Sequence, residues 1–238
     1  MTATLKIFVD HLSQPARALS LLCRAINAPH HEKHIQLLKG KDASNARGKE
    51  AEVAVGGEHL RKPFTDINPF KKIPVVQDGD IVLLESCAGL RFIASKYDAS
   101  GVWYPGKVEV RSKVDEYLDW QHLNTRAHGM GYFRNKVLMP SLKKCEPDMA
   151  VVREHEKELQ RVERQFARYF LGPTPFITGD QVTIGDLLAA CEFEQPLAGG
   201  YNLSPPIREF ITRVKEKVGP DYDEVHTYMR QLAKKCLA

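Results

Sequence analysis

Apolar positions change their period along this chain. Leu5, Ile7, Phe8 and Val9 crowd a short β-rich run, residues 5–10, before Ser13-Gln14-Pro15. Leu19, Leu22, Cys23 and Ile26 then recur at helical spacing. Ser13 suits an N-cap and Pro15 the first helical turn, so a helix is predicted from Ala16 to Ile26, stopped by Asn27-Ala28-Pro29. His34 to Leu38 reads as a second strand. This β-α-β order implies a parallel pair with a right-handed crossover.

Residues 40–66 break the pattern. Gly40, Gly48, Gly56, Gly57 and several charges predict a long polar loop, with a helical turn near Lys49–Val55. A loop of that length is uncommon in a compact domain. Residues 74–77 and 81–84 then flank Asp78-Gly79, a hairpin signal. Glu85-Ser86 opens a helix over Cys87–Tyr97, with Leu90, Ile93 and Ala94 on one face. The first 97 residues therefore read β-α-β, a long loop, then β-β-α.

Residues 98–106 form a linker around Trp103-Tyr104-Pro105. Everything after it carries helical periodicity. Val110, Val114, Tyr117, Leu118 and Gln121 make one stripe, and His155, Leu159, Val162, Phe166 and Tyr169 another. Thr183-Ile184-Gly185-Asp186 has the form of a capping box before Leu187-Leu188-Ala189-Ala190.

With 238 residues, 43% hydrophobic and 27% charged, the chain can bury a sizeable core and is not of a disordered class. Its net charge of +4 is spread out, with no block of like charges and no aromatic-basic array. That argues against nucleic acid as a partner, while a mildly positive field still favours an anionic small molecule. Cys23, Cys87, Cys145, Cys191 and Cys236 are odd in number and widely spaced. Reduced thiols in a cytoplasmic protein are expected, not a disulfide framework or zinc ribbon. The N-terminus lacks a secretory pattern, and no run approaches the roughly 18 apolar residues of a membrane helix.

Three places carry candidate chemistry. Ser13 stands where a strand feeds a helix; its hydroxyl and the first helical N–H groups favour negative charge there, although capping alone also explains a serine. Pro74 opens a strand, and a cis bond before it would leave the Ile73 backbone free to pair with an extended ligand. Glu85-Ser86 is either a helix cap or a cradle for an α-amino acid group, with the carboxylate on the ammonium and the hydroxyl on the carboxylate.

The order of these features resembles the cytosolic glutathione transferases, most closely the theta class. The resemblance rests on Leu12-Ser13-Gln14-Pro15-Ala16-Arg17-Ala18, Lys39-Gly40, residues 67–74 (Ile-Asn-Pro-Phe-Lys-Lys-Ile-Pro), Asp78-Gly79-Asp80, Leu84-Glu85-Ser86, Lys96-Tyr97, Trp103-Tyr104-Pro105, residues 114–118 and Trp120-Gln121-His122. It covers nearly the whole chain.

That resemblance implies a thioredoxin-like α+β domain (β-α-β-α-β-β-α) at residues 1–97, a linker at 98–107 and an all-helical bundle domain at 108–238. It implies a homodimer in the cytoplasm with glutathione as co-substrate, no metal, and neither nucleic acid nor membrane as partner. Ser13 is expected to hydrogen-bond the glutathione sulfur. Lys72 and Ile73 would contact the glutathione backbone, and Glu85 and Ser86 its γ-glutamyl end, with Arg126 nearby. Asp42 falls where theta enzymes often carry a histidine near the glycine carboxylate. An aspartate would repel that group, and Lys41 could substitute. Met130, Phe133 and Arg134 would line the electrophile pocket. The loop before Ile67 is longer than the family pattern by roughly one and a half helical turns of residues or more; of a flap over the glycine end and a surface insertion, the insertion is favoured. The chain also ends at Ala238, soon after its last helix, so a more open pocket is expected than in theta enzymes that continue.

The energetics suit this chemistry. A free thiol titrates near about 8.5, and lowering it by about two units needs roughly 2.7 kcal/mol. A hydrogen bond to a charged group supplies ~1.5–3 kcal/mol and a helix N-terminus ~0.3–1. The thiolate would attack small electrophiles: halides, epoxides or peroxides. Where a thioredoxin carries two cysteines this chain has Ser13-Gln14-Pro15-Ala16, so dithiol exchange is disfavoured. The alternative is a non-catalytic transferase-like module that binds a ligand or protein and has no need of Ser13. His31-Glu32-Lys33-His34 has the wrong spacing for a helical zinc motif, and Lys143-Lys144 and Lys234-Lys235 read as solvated faces.

Overall fold

A computed structural model of the chain describes residues 5–39, 54–55 and 57–238. Its first half is built on strand β1 (Leu5–Val9), helix α1 (Gln14–Ala25) and strand β2 (His30–His34). β1 and β2 run parallel, in register from Leu5↔His30 to Val9↔His34. The second strand therefore lies four residues before the predicted His34–Leu38. β2 is the edge of the sheet, and its five residues are only partly buried or exposed. A polar edge strand shows no apolar alternation to read. The apolar signal belongs to its exit, where Ile35 is buried and its N–H donates to Val9 O at 2.8 Å.

Strands β3 (Leu38–Lys39) and β4 (Ala54–Val55) form a separate antiparallel pair. Ala54 and Val55 are thus extended, which corrects the end of the helical turn expected near Lys49–Val55; residues 49–53 lie outside the described ones. The chain then presses on the exit of β2. A Cβ at Gly57 would sit 1.9 Å from Gln36 O, and Glu58 N donates to that oxygen at 2.8 Å. Side chain and backbone cross back as well, with Gln36 N donating to Glu58 Oε2 at 3.0 Å. A short helix α2 (Phe64–Ile67) follows inside what reads as loop in the sequence.

Strands β5 (Val75–Asp78) and β6 (Ile81–Leu83) complete a four-stranded sheet of order β2-β1-β5-β6, and α3 (Ser86–Tyr97) follows. Gly79 takes the tight turn at a φ of 59°, a region glycine enters without cost. The register Ile7↔Val76 and Phe8↔Val75 separates the two faces. Ile7 and Val76 pack with α1 and α3, while Phe8 and Val75 pack with Ile35 and Phe64 of α2. Gly89 lets α3 approach closely, since a Cβ there would meet Val76 Cγ2 at 2.7 Å. Buried Asp78 accepts from Tyr97 Oη at 2.9 Å and from Lys96 Nζ, fastening the hairpin to the end of α3.

From α4 (Val108–Trp120) onward the regular elements of the described residues are helices: α5 (Thr125–Phe133), α6 (Met139–Lys143), α7 (Met149–Gln165), α8 (Ile184–Ala198), α9 (Pro205–Val218) and α10 (Asp221–Leu237). The stripe is buried at Val114, Tyr117, Leu118 and Gln121 and half-buried at Val110. The second stripe holds through Phe166, but Tyr169 is exposed. The helix widens into a π turn at Phe166–Leu171, which carries Phe170 and Leu171 inward instead.

Helix α8 is buried on every side, packed by α1 and α3 from the sheet half and by α4, α5, α9 and α10. It starts at the capping box expected from the sequence. Asp186 Oδ2 accepts from Thr183 N at 2.9 Å and Oδ1 from Ile177 N at 2.8 Å, while burial pushes the carboxyl up to about 6. Trp103, in the segment between α3 and α4, accepts the Ile184 N–H at 2.9 Å through its carbonyl, joining that segment to this helix start.

Candidate active site

Topology gathers the candidate residues at one end of the sheet. β1 runs antiparallel to β5, and β5 antiparallel to β6. The exit of β1, the entrance of β5 and the exit of β6 therefore lie together, and Phe8↔Val75 and Val76↔Leu83 are the flanking pairs. Ser13 follows β1, Ile73-Pro74 precedes β5, and Glu85-Ser86 follows β6.

Ser13 is the N-cap residue of α1, with extended backbone at φ −82° and ψ 124°. Its N–H donates to Asp10 O at 2.9 Å and its carbonyl accepts the Arg17 N–H at 3.1 Å. Its side chain makes no capping hydrogen bond. The backbone is committed and the half-buried hydroxyl is left beside the helix N-terminus. Asp10 braces the loop from the other side, accepting from Leu12 N at 2.9 Å and Leu37 N at 2.8 Å.

A residue the sequence reading passed over holds this loop from below. Arg17 is fully buried. Its Nη1 donates to His11 O at 2.7 Å and Leu12 O at 3.1 Å. Its Nη2 donates to Cys191 O at 2.9 Å and Gln195 Oε1 at 2.8 Å, both on α8. The signal was available: Arg17 interrupts the apolar run of α1, on which every residue from Gln14 to Cys23 is buried.

The Ile73-Pro74 bond is cis. β5 begins at Val75, so Lys72 and Ile73 lie outside the ladder with β1. Buried Asn68 shapes their approach, donating to Lys72 O at 2.6 Å and accepting from Phe70 N at 2.9 Å. The Lys72 side chain is exposed and Ile73 half-buried.

Glu85 is the N-cap residue of α3 and, like Ser13, makes no side-chain cap. It is exposed, and Ser86 behind it is buried. Arg126 of α5 reaches across, with Nη2 3.4 Å from Ser86 Oγ, Nη1 3.5 Å from His122 Nδ1, and Nε donating to Glu192 Oε1 at 3.1 Å. Burial and the Arg126 charge hold His122 below the usual histidine value, which favours the neutral ring that can accept from Arg126.

The matching family model is described as glutathione S-transferase, N-terminal domain, and covers residues 29–95. Glutathione S-transferase theta-1 of Gallus gallus is 33% identical over 226 residues, which span 91% of this chain and 85% of that protein. The chain belongs to the theta-class glutathione transferases. Among solved structures, the apo form of human glutathione S-transferase T1-1 matches with a TM-score of 0.86 at 29% identity, covering 97% of this chain and 91% of that one. Human glutathione transferase theta-2, solved with glutathione and an unknown ligand, matches at 0.85 and 29%, covering 98% and 90%.

The remaining positions expected in this transferase are placed as follows. Phe133 is fully buried and packs with Leu12, next to Ser13, and with Met229 of α10; Met130 lies half-buried against the same cluster, and Arg134 is exposed. Lys41 and Asp42 lie outside the described residues, as does most of the long loop. His11, His30 and His34 collect around Glu32, at 3.4, 3.6 and 3.8 Å. Burial alone would raise the Glu32 carboxyl, but hydrogen bonds from His11 and His30 outweigh it and hold it well below the usual range. All five cysteines are free; burial pushes the Cys23 and Cys191 thiols up to about 12 and raises that of Cys87.

Proposed function

We propose that this transferase activates glutathione through Ser13, whose hydroxyl donates a hydrogen bond to the glutathione sulfur. The uncommitted hydroxyl at the start of α1 is the observation that carries this reading. A serine needed only as a cap would accept from the helix N–H groups; this one is left for a ligand. The donated bond and the helix terminus together match the roughly 2.7 kcal/mol needed to shift a thiol by about two units.

Glutathione then lies along one end of the sheet. The Ile73 backbone and Lys72 receive its peptide part. Glu85 holds the γ-glutamyl ammonium, while Ser86, the first N–H groups of α3 and Arg126 hold its carboxylate. Lys41 rather than Asp42 meets the glycine carboxylate. The thiolate attacks an electrophilic carbon, its lone pair forming the C–S bond as the leaving group departs with the bonding pair. Small halides and epoxides are the substrates this reading favours, with peroxides attacked at oxygen. Met130, Phe133 and Arg134 form the electrophile side, Phe133 by backing the pocket from the core. A homodimer in the cytoplasm completes the reading.

The test compares wild type with Ser13→Ala on immobilised glutathione and on small electrophilic halides. Retention is expected to persist while turnover falls about 10- to 150-fold, the equivalent of ~1.5–3 kcal/mol. Unchanged turnover in Ser13→Ala would sink the mechanism.

A further inference from the structure

Resting on the glutathione reading, we propose that Glu192, which itself touches no substrate, is a positioning residue for the γ-glutamyl end: it fixes Arg126, and Arg126 orients Ser86.

Glu192 is fully buried on the central helix α8. Both of its oxygens are occupied. Oε1 accepts from Arg126 Nε at 3.1 Å and Oε2 from Tyr117 Oη at 3.1 Å, and Tyr117 is itself 3.3 Å from Thr125 Oγ1. One edge of the guanidinium is thereby held from the core, while Nη2 points at Ser86 Oγ, 3.4 Å away. Arg126 donates to the serine oxygen and so does not use the hydroxyl hydrogen, which can turn from the adjacent Cys87 thiol to an incoming acceptor. An α-carboxylate is the acceptor it suits, and the guanidinium charge favours the same group. An acid in the apolar run Leu187-Leu188-Ala189-Ala190-Cys191-Glu192-Phe193 is the sequence trace of this arrangement.

The groups facing the carboxylate are Tyr117 from α4, Arg126 from α5, Cys87 from α3 and Cys191 on its own helix. Burial pushes Glu192 up to about 7 against the pull of Arg126 and Tyr117. Acidification through that range protonates the carboxylate and weakens its hold on Arg126.

The test measures the dissociation constants of S-methylglutathione, which has no titrating thiol, and of S-methylcysteinylglycine, which lacks the γ-glutamyl group. Glu192→Gln is expected to weaken the first about 10-fold and the second by less than about twofold. Wild-type affinity for S-methylglutathione falls on acidification through pH 7 (about 7 for Glu192), and the variant loses that dependence. In an Arg126→Ala background, Glu192→Gln adds less than about twofold. Tyr117→Phe, which keeps the ring and removes one support, loses about two- to threefold of the selectivity. Equal weakening of both ligands, effects that multiply in the double variant, or wild-type selectivity in Tyr117→Phe overturns the proposal. A wild type that binds neither ligand overturns the glutathione reading itself.

Discussion

Ser13 and Ser86 occupy the same kind of place, each just after a strand exit and at the start of a helix, yet the protein treats them in opposite ways. At Ser13 the backbone is fastened by Asp10 and Arg17 while the hydroxyl is left uncommitted as a cap. At Ser86 the hydroxyl is buried and engaged by a guanidinium that a buried carboxylate holds in turn. On the proposed reading, with the glutathione sulfur at Ser13 and the γ-glutamyl carboxylate at Ser86, the difference suits what each end must do. A sulfur that changes charge during the reaction needs a donor free to respond, whereas a fixed carboxylate needs a donor already aimed. Both supports come from α8, through Gln195 at one end and Glu192 at the other.

The comparison breaks most severely at Arg17. Arg17→Met removes the donors to four acceptors, leaving Leu12 O and Gln195 Oε1 without them in the interior, His11 O at its margin and Cys191 O with only its helical partner. A loss of at least about 3 kcal/mol in chemical denaturation is expected. Equal stability would show that the loop before Ser13 does not depend on the tie. A milder probe is Glu85→Gln. Glu85 is exposed, so its attraction to an ammonium is screened, and glutathione affinity should fall only about two- to fivefold, less at high salt. A larger loss than in Glu192→Gln would reverse the assignment of which carboxylate matters more at this end.

The smallest effect concerns the Glu32 cluster beside the Ser13 loop. The Glu32 carboxyl lies below its ordinary value, so its contribution is present above pH 4.5 and is lost on acidification. His30, raised chiefly by its hydrogen bond to Glu32, contributes below pH 6.5, and that contribution is lost as pH rises through its folded value. The stabilising charge pair is therefore strongest between those limits. Glu32→Gln should lower the melting temperature by a few degrees near pH 6 and by less at pH 8.5, in line with ~1 kcal/mol or less.

Much of this was legible from residue order. The hairpin around Gly79, the capping box at Thr183 and the helix opened by Glu85-Ser86 are local signals, and each formed where its turn or cap chemistry put it. What stayed hidden is not local. β2 is a row of histidines, a glutamate and a lysine, with no alternation to betray a strand; its pairing comes from β1. Arg17 and Glu192 each stand out as a charge in an apolar run, but their partners, 174 and 66 residues away along the chain, cannot be read from the sequence. The π turn at Phe166–Leu171 shifts a stripe that an ideal 3.6-residue period would continue to Tyr169.

The double duty of α8 limits how modular the protein is. The sheet half looks transplantable, since it carries Ser13, Ile73 and Glu85-Ser86 and its last helix ends at Tyr97, before α4 begins. A chimaera joining them to an unrelated helical half would keep every candidate contact of the sheet half and lose what aims them. Cys191 and Gln195 would have to travel for Arg17, and Glu192 for Arg126. The natural unit of exchange is therefore not the sheet half alone but the sheet half together with one face of a helix that begins 87 residues beyond it, at Ile184 against Tyr97.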